Sequence, residues 1–254
     1  MRLRLRAKSG GLVGLYQLFV IVALQSSFTL TYAKSADTLY LTDTTKIPGA
    51  SVSSYFSMSN KLSVYDSLHL QEAGLSKKVF TLALKGMARL VKTRHIKDNL
   101  LTIVDYSQPS NKKRLYVVDL ENYQLLFNTY VAHGMKTGKV KAQYFSNKPA
   151  SNKSSLGFYV TGPEYQGSNG RSLRLVGVEK GINDYAMKRG IVVHGADYVN
   201  EYLIATQGYI GRSWGCPAVA PEVSDALIDV LKEGSCMFIY HPTPSYREKS
   251  QLLR

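Results

Sequence analysis

The sequence predicts a mainly β, α+β fold, and three observations carry that prediction. From Leu100 onward the chain breaks into short β-branched or apolar runs bounded by Gly, Asn, Pro or Ser. Only two stretches keep an apolar step of three and four residues, one before the first of those runs and one before the last. With 254 residues, 44% hydrophobic and 20% charged, the composition suits a globular protein long enough to bury a sizeable core.

The elements follow in order. Arg2, Arg4, Arg6 and Lys8 precede the apolar stretch Leu12 to Leu24, and small residues stand at Thr31 and Ala33. That is the layout of a signal peptide over residues 1–33. The apolar stretch is shorter than the ~20 residues that span a bilayer. A cleaved signal is therefore expected, with membrane attachment only if it stays uncleaved. The protein is expected to be exported, periplasmic or associated with the cell envelope. Residues 34–62, rich in Ser and Thr around Pro48-Gly49, read as a flexible leader.

Residues 63–99 form a helical lead-in. Leu75, Val79, Leu82, Ala83, Gly86 and Leu90 make one stripe, and Ser76 is the expected N-cap of a helix through Lys92. Residues 100–242 follow as the β-rich domain. Strands are expected at 100–105, 114–119, 124–132, 155–161, 173–178 and 190–194. Pro221 then opens a helix with Val223, Ala226, Leu227, Val230 and Leu231 on one stripe and Gly234 beyond its end. A last strand covers Cys236 to Tyr240, and residues 243–254 read as a charged tail.

The formal charge is +14; residues 1–33 hold four basic and no acidic residues, which leaves +10 for the rest. Such a cationic protein is drawn to envelope polyanions. The basic residues are scattered, without aromatic interleaving or a helix-turn-helix pattern, so nucleic acid is not an expected partner. Two cysteines outside the cytosol suggest a disulfide by default. Cys236, however, lies in an apolar run where a thiol acts as a small hydrophobe, and Cys216 lies in a glycine turn. Two free thiols are expected.

The chemistry concentrates in two segments, Ile191-Val-Val-His194-Gly195 and Gly211-Arg212-Ser213-Trp214-Gly215-Cys216-Pro217. A cysteine in such a turn needs a base or a positive partner to become a nucleophile. His194 is the candidate base, and Arg212 offers positive charge. Backbone N–H groups around Gly215 and Cys216 are candidate oxyanion donors, with Ser213 and Gly195 in support. Two readings of Trp214 are open: a wall of the substrate groove, or a ring packed on the helix from Pro221. His133-Gly134 ends another strand and reads either as a loop histidine or as a residue facing the same cleft. A zinc set drawn from His133, His194, Cys216 or Asp197 has no recognisable ligand spacing, and neither metal nor cofactor is expected. A papain-type protease would place its Cys before its His, the reverse of the order here.

His194-Gly195 followed by Ser213-Trp-Gly-Cys-Pro-Ala resembles the signature of L,D-transpeptidases of the YkuD type, in the murein L,D-transpeptidase catalytic-domain subfamily. The resemblance extends to Tyr130-Val-Ala-His133-Gly134, Phe145-Ser-Asn147, Ser154-Ser-Leu-Gly157 and the Tyr165-to-Arg174 segment. It implies a β-sandwich or barrel catalytic domain with an N-terminal helical segment and one helix after the catalytic Cys. It also implies acyl transfer between peptidoglycan stem peptides through a Cys216 thioester with His194 as base. Trp214 and Ala218 stand where the better-known branch carries His and Arg or Asn. Arg212, Arg174 and His133 are the substitutes expected to bind substrate. A carboxypeptidase using water, or an envelope-binding protein without turnover, are the other outcomes of the same resemblance.

Overall fold

The computed structural model describes residues 58–93 and 96–254. The expected signal peptide and most of the leader lie outside the described residues. Two helices come first, α1 (Met58–Ser67) and α2 (Lys77–Lys92). The Ser76 side chain accepts the Val79 N–H at 3.3 Å, the cap expected from sequence. The buried face of α2 holds Val79, Phe80, Ala83, Leu84, Gly86, Met87, Leu90 and Val91. A Cβ on Gly86 would lie 1.9 Å from the Phe158 ring, so the helix approaches the sheet closely only because that position is bare.

Eight strands form one sheet: β1 (Leu100–Asp105), β2 (Leu115–Asp119), β3 (Gln124–Thr129), β4 (Gly157–Gly167), β5 (Gly170–Gly177), β6 (Val192–Gly195), β7 (Ala218–Val219) and β8 (Cys236–Tyr240). Their order is β3-β2-β1-β8-β4-β5-β6-β7. The β1–β8 and β6–β7 pairs are parallel and the others antiparallel. The two edge strands do not stay open. After β3 the chain crosses to the far edge, where the Ala132 N–H donates to Ala218 O at 2.8 Å and Gly134 bridges Ser213. The sheet thereby becomes a nearly closed barrel, which removes unpaired edges. It also carries residues 130–134 up to the Cys216 turn.

Three details differ from expectation. The runs at 155–161 and 173–178 are arms of one long hairpin, β4–β5, with a two-residue turn at Ser168-Asn169. The register slips between Thr161 and Glu164, where Gly162-Pro163 interrupts the pairing with β5. A helix α3 (Glu201–Gln207) was not expected; none of its residues is buried, so it leaves no apolar stripe in the sequence. The charged tail is folded rather than loose. Helix α5 (Pro244–Lys249) buries Tyr246, whose hydroxyl donates to Glu179 Oε2 at 3.1 Å, and Ser250 donates to the same carboxylate. The helix after Cys216, α4, runs from Pro221 to Leu231. Every residue of β8 is buried, including Cys236, which is a free thiol pushed up by burial. No helix among the described residues is long and apolar enough to cross a membrane.

Candidate active site

Strand β6 ends at His194-Gly195, and β7 runs parallel beside it with His194 opposite Ala218. Cys216 lies two residues before Ala218, so the pairing sets the Cys216 turn alongside β6. The backbone N–H of Val192 acts on the Cys216 thiol and favours its ionised form. The thiol in turn points to Gly190 O at 3.6 Å. Val192 and His194, two residues apart on a strand, share a face.

Ser213 builds the turn from inside. Its Oγ accepts the Gly215 N–H at 3.0 Å and donates to Cys216 O at 2.6 Å. Gly215 sits at φ +130, and a Cβ there would lie 2.8 Å from Lys153 O, so the position requires glycine on both counts. The Ser154 hydroxyl donates to Gly215 O at 3.1 Å and accepts the Gly134 N–H at 3.0 Å. Ser213 N–H donates to His133 O, and Met135 N–H to Ser213 O, at 3.0 and 2.7 Å. The Gly215 N–H, expected as an oxyanion donor, is thus already engaged by Ser213.

The open space beside Cys216 is a cavity of about 270 Å³. It is lined by His194, Cys216, Arg189, Arg212, Tyr198 and Trp214, with Asn169 from the hairpin turn. Trp214 is 76% exposed, which places it on the rim rather than against α4. The buried His194 ring donates through Nδ1 to Gly195 O at 2.8 Å, since a carbonyl only accepts. That leaves the lone pair on Nε2. Gly195 therefore supports the site through its carbonyl. Burial lowers the His194 pKa below the usual imidazole range. Burial raises that of Cys216, against the opposing pull of the Val192 backbone N–H and the charge of Arg189. Both shifts favour an uncharged thiol beside an uncharged imidazole.

The positive charge acting on the thiol comes from Arg189, a residue not expected from sequence. Its guanidinium is fixed by Ser146 O at 2.8 Å, Ser155 Oγ at 3.1 Å and Lys153 O. The only available signal was its place just before the apolar run that ends on His194. Arg212 also reaches the cavity, donating through Nη1 to Met135 O and Gly138 O at 3.2 and 3.3 Å.

Two expected substrate-binding residues lie elsewhere. Arg174 stacks over the Tyr165 ring at 4.1 Å and is not part of the cavity lining. His133 is fully buried, accepts from Arg114 Nη2 on Nδ1 at 2.8 Å and donates from Nε2 to Gly138 O at 3.2 Å. Both nitrogens are spent inside the protein. Desolvation and the neighbouring Arg114 charge push its pKa down to about 3, so it stays neutral. Its partner Arg114 is equally buried. It donates to Val131 O and Gln108 O and lies over the Tyr106 ring at 4.8 Å, while Tyr106 donates to Ala132 O at 2.9 Å. This cluster anchors the residues 130–134 that close the barrel behind Ser213. Among the described residues no three or more His, Cys, Asp or Glu side chains gather as metal ligands.

The L,D-transpeptidase catalytic-domain model matches residues 71–240, well over half of the sequence. This chain belongs to that family. The match takes in α2, the helix read from sequence as a lead-in. Among solved structures, an L,D-transpeptidase from Mycobacterium smegmatis aligns at 14% identity over 57% of this chain and 59% of that one, with a TM-score of 0.35. L,D-transpeptidase 3 from Mycobacterium tuberculosis aligns at 12% identity over 57% and 62%, with a TM-score of 0.35. The helical cell shape determining protein Pgp2 from Campylobacter jejuni, in a mutant form, gives 12% over 61% and 53%, at 0.39. The chain thus spans about 59% of the length of the M. smegmatis protein. No curated protein matches.

Proposed function

We propose that this L,D-transpeptidase-family domain transfers an acyl group from one peptidoglycan stem peptide to an amine through a thioester on Cys216. The observation that carries this reading is a free thiol and a histidine in one cavity, the histidine fixed by its Nδ1 on Gly195 O so that Nε2 can take a proton. Because burial keeps both groups neutral, the thiolate forms on demand rather than as a standing ion pair. The Cys216 proton passes to His194 Nε2 as sulfur attacks the carbonyl carbon of the diamino acid's L-centre. The C–N bond to the terminal D-residue breaks, and the imidazolium returns the proton to the departing amine. An acceptor amine then attacks the thioester, the C–S bond breaks, and the amine's proton passes through His194 back to sulfur. With Gly215 N–H engaged by Ser213, the oxyanion donor on this reading is the N–H of Cys216 itself; such a donor contributes ~3 kcal/mol.

Arg212 is the residue assigned to the substrate carboxylate. Among the described residues its Nε and Nη2 have no hydrogen-bond partner, whereas the Arg189 guanidinium is committed to the wall. Trp214 lies on the rim, where an indole face can cover the peptide. The basic and apolar N-terminal pattern of residues 1–33 supports delivery of this domain to the cell envelope, where such stems occur.

The test is incubation with a purified stem tetrapeptide and a free amine acceptor, read by mass analysis. Loss of the terminal D-residue and joining of the amine by wild type, with neither in Cys216→Ala, is the expected result. Release of a tripeptide acid without joining would make the enzyme a carboxypeptidase. Inertness of wild type on several stem types would defeat the enzymatic reading and leave an envelope-binding domain.

A further inference from the structure

The loop between β3 and β4 carries Lys136, Lys139, Lys141, Lys148 and Lys153 within residues 135–153, and no acidic residue. The first four are exposed. Among the described residues none of the five takes part in an ion pair. The loop nonetheless has a fixed shape. Gln143 and Tyr144 N–H both donate to Thr137 O, at 2.8 and 2.9 Å, and Ser110 N–H reaches Val140 O at 2.9 Å. Gly138 sits at φ +156, and a Cβ there would fall 1.9 Å from Lys141 O, so the turn folds tightly on itself. Lys139 lies over the Tyr209 ring at 5.3 Å, and Lys153 over the exposed Tyr144 ring at 5.5 Å.

The same loop braces the Cys216 cavity without lining it, by gripping two of the arginines that do. Arg212 donates to its Met135 and Gly138 carbonyls, and Arg189 to those of Ser146 and Lys153. Like charges held together on a rigid frame repel one another, and that repulsion is relieved only by a partner of opposite sign.

We propose that loop 135–153 is an exosite that holds the anionic strand to which the reacting stem peptide is attached, through the carboxylates of neighbouring stems. This rests on the acyl-transfer reading of Cys216 and adds a second binding surface to it. A linear strand can lie along the loop and still let one stem enter the cavity. Such a strand brings the reacting stem with it when it binds, which an acidic membrane surface would not do.

The test compares wild type with the variant Lys136→Gln/Lys139→Gln/Lys141→Gln/Lys148→Gln on two substrates, an isolated stem tetrapeptide and intact sacculi. At low salt the variant's kcat/KM on sacculi falls about tenfold, while that on the isolated peptide is unchanged. The wild-type advantage on sacculi disappears as ionic strength rises from about 0.01 M to about 1 M. Equal rates of wild type and variant on both substrates overturn the exosite and leave the chemistry standing. Parallel losses on both also overturn it, since they place the lysines in the fold or the cavity. If wild type turns over neither substrate, the acyl-transfer reading fails, and co-sedimentation decides what remains of the surface. Cys216→Ala protein that pellets with sacculi, and no longer does so with the four lysines replaced, upholds anionic-strand binding. Pelleting only with acidic-lipid vesicles overturns it in favour of a membrane.

Discussion

Two clusters in this molecule use the same three residue types and do opposite things with them. Arg114, His133 and Tyr106 form one; Arg189, His194 and Tyr198, around Cys216, form the other. Both tyrosines are pushed up to about 12 by burial, and both histidines are held below the usual imidazole range. The difference lies in what is left over. Each nitrogen of His133 ends on a protein partner, and the Arg114 guanidinium is spent on carbonyls and on that imidazole. His194 spends Nδ1 on Gly195 O and keeps Nε2. A saturated cluster fixes the backbone; an unsaturated one beside a cavity has a proton acceptor to offer.

The sharpest way to break this comparison is to exchange the roles by mutation. His194→Gln removes the proposed base and should lower kcat by about 10²–10⁴ with little change in melting temperature. His133→Gln should do the reverse, with turnover per folded molecule largely kept and the melting temperature reduced. Thermal melts paired with active-site titration would separate the two, and equal losses of turnover would erase the distinction. Next in size is Arg114→Met, which strands the Val131 and Gln108 carbonyls in the interior. It should cost about 3 kcal/mol in denaturant unfolding, because buried groups are left unpaired.

Acid tests the same cluster more gently. The folded pKa of His133 is about 3 and the unfolded value is near 6.5, so between these the unfolded chain binds more protons. Stability is unaffected by this group above pH 6.5 and falls as pH drops through that window, by about 2 kcal/mol at pH 5. His133→Gln should flatten the slope. The lowered pKa of His194 has a catalytic counterpart: the acid limb of kcat/KM should lie below pH 6.5, and a limb above it would contradict an imidazole kept neutral by burial. The smallest effect expected is that of Arg212→Gln. Losing one charge-assisted hydrogen bond of about 1.5 kcal/mol should raise KM about tenfold with kcat little changed.

Much of this was legible in the sequence. Ser76 capped α2 as its spacing required, and Pro221 opened α4, because caps and helix starts are local signals. Cys216 and His194 stand out in the sequence because each breaks a bland pattern at a strand end or glycine turn, and the structure puts both in the lining of one cavity. The residues that were missed or misassigned depend on non-local geometry. Arg189 became a cavity residue only through the loop carbonyls that grip it, and His133 left the cavity because Arg114, nineteen positions earlier, claims its Nδ1. Helix α3 and the folded C-terminal segment escaped notice for a related reason. The first buries nothing, and the second is held by Glu179, far away in sequence.

The most direct test of the central claim is the intact mass of the protein during turnover of a stem tetrapeptide, quenched in acid and mapped by peptide digestion. An adduct equal to the tetrapeptide less its terminal D-residue, located on Cys216, present in wild type and in His133→Gln and strongly reduced in His194→Gln, is the predicted result. Product formation with no adduct on Cys216, or continued turnover by Cys216→Ala, would contradict it.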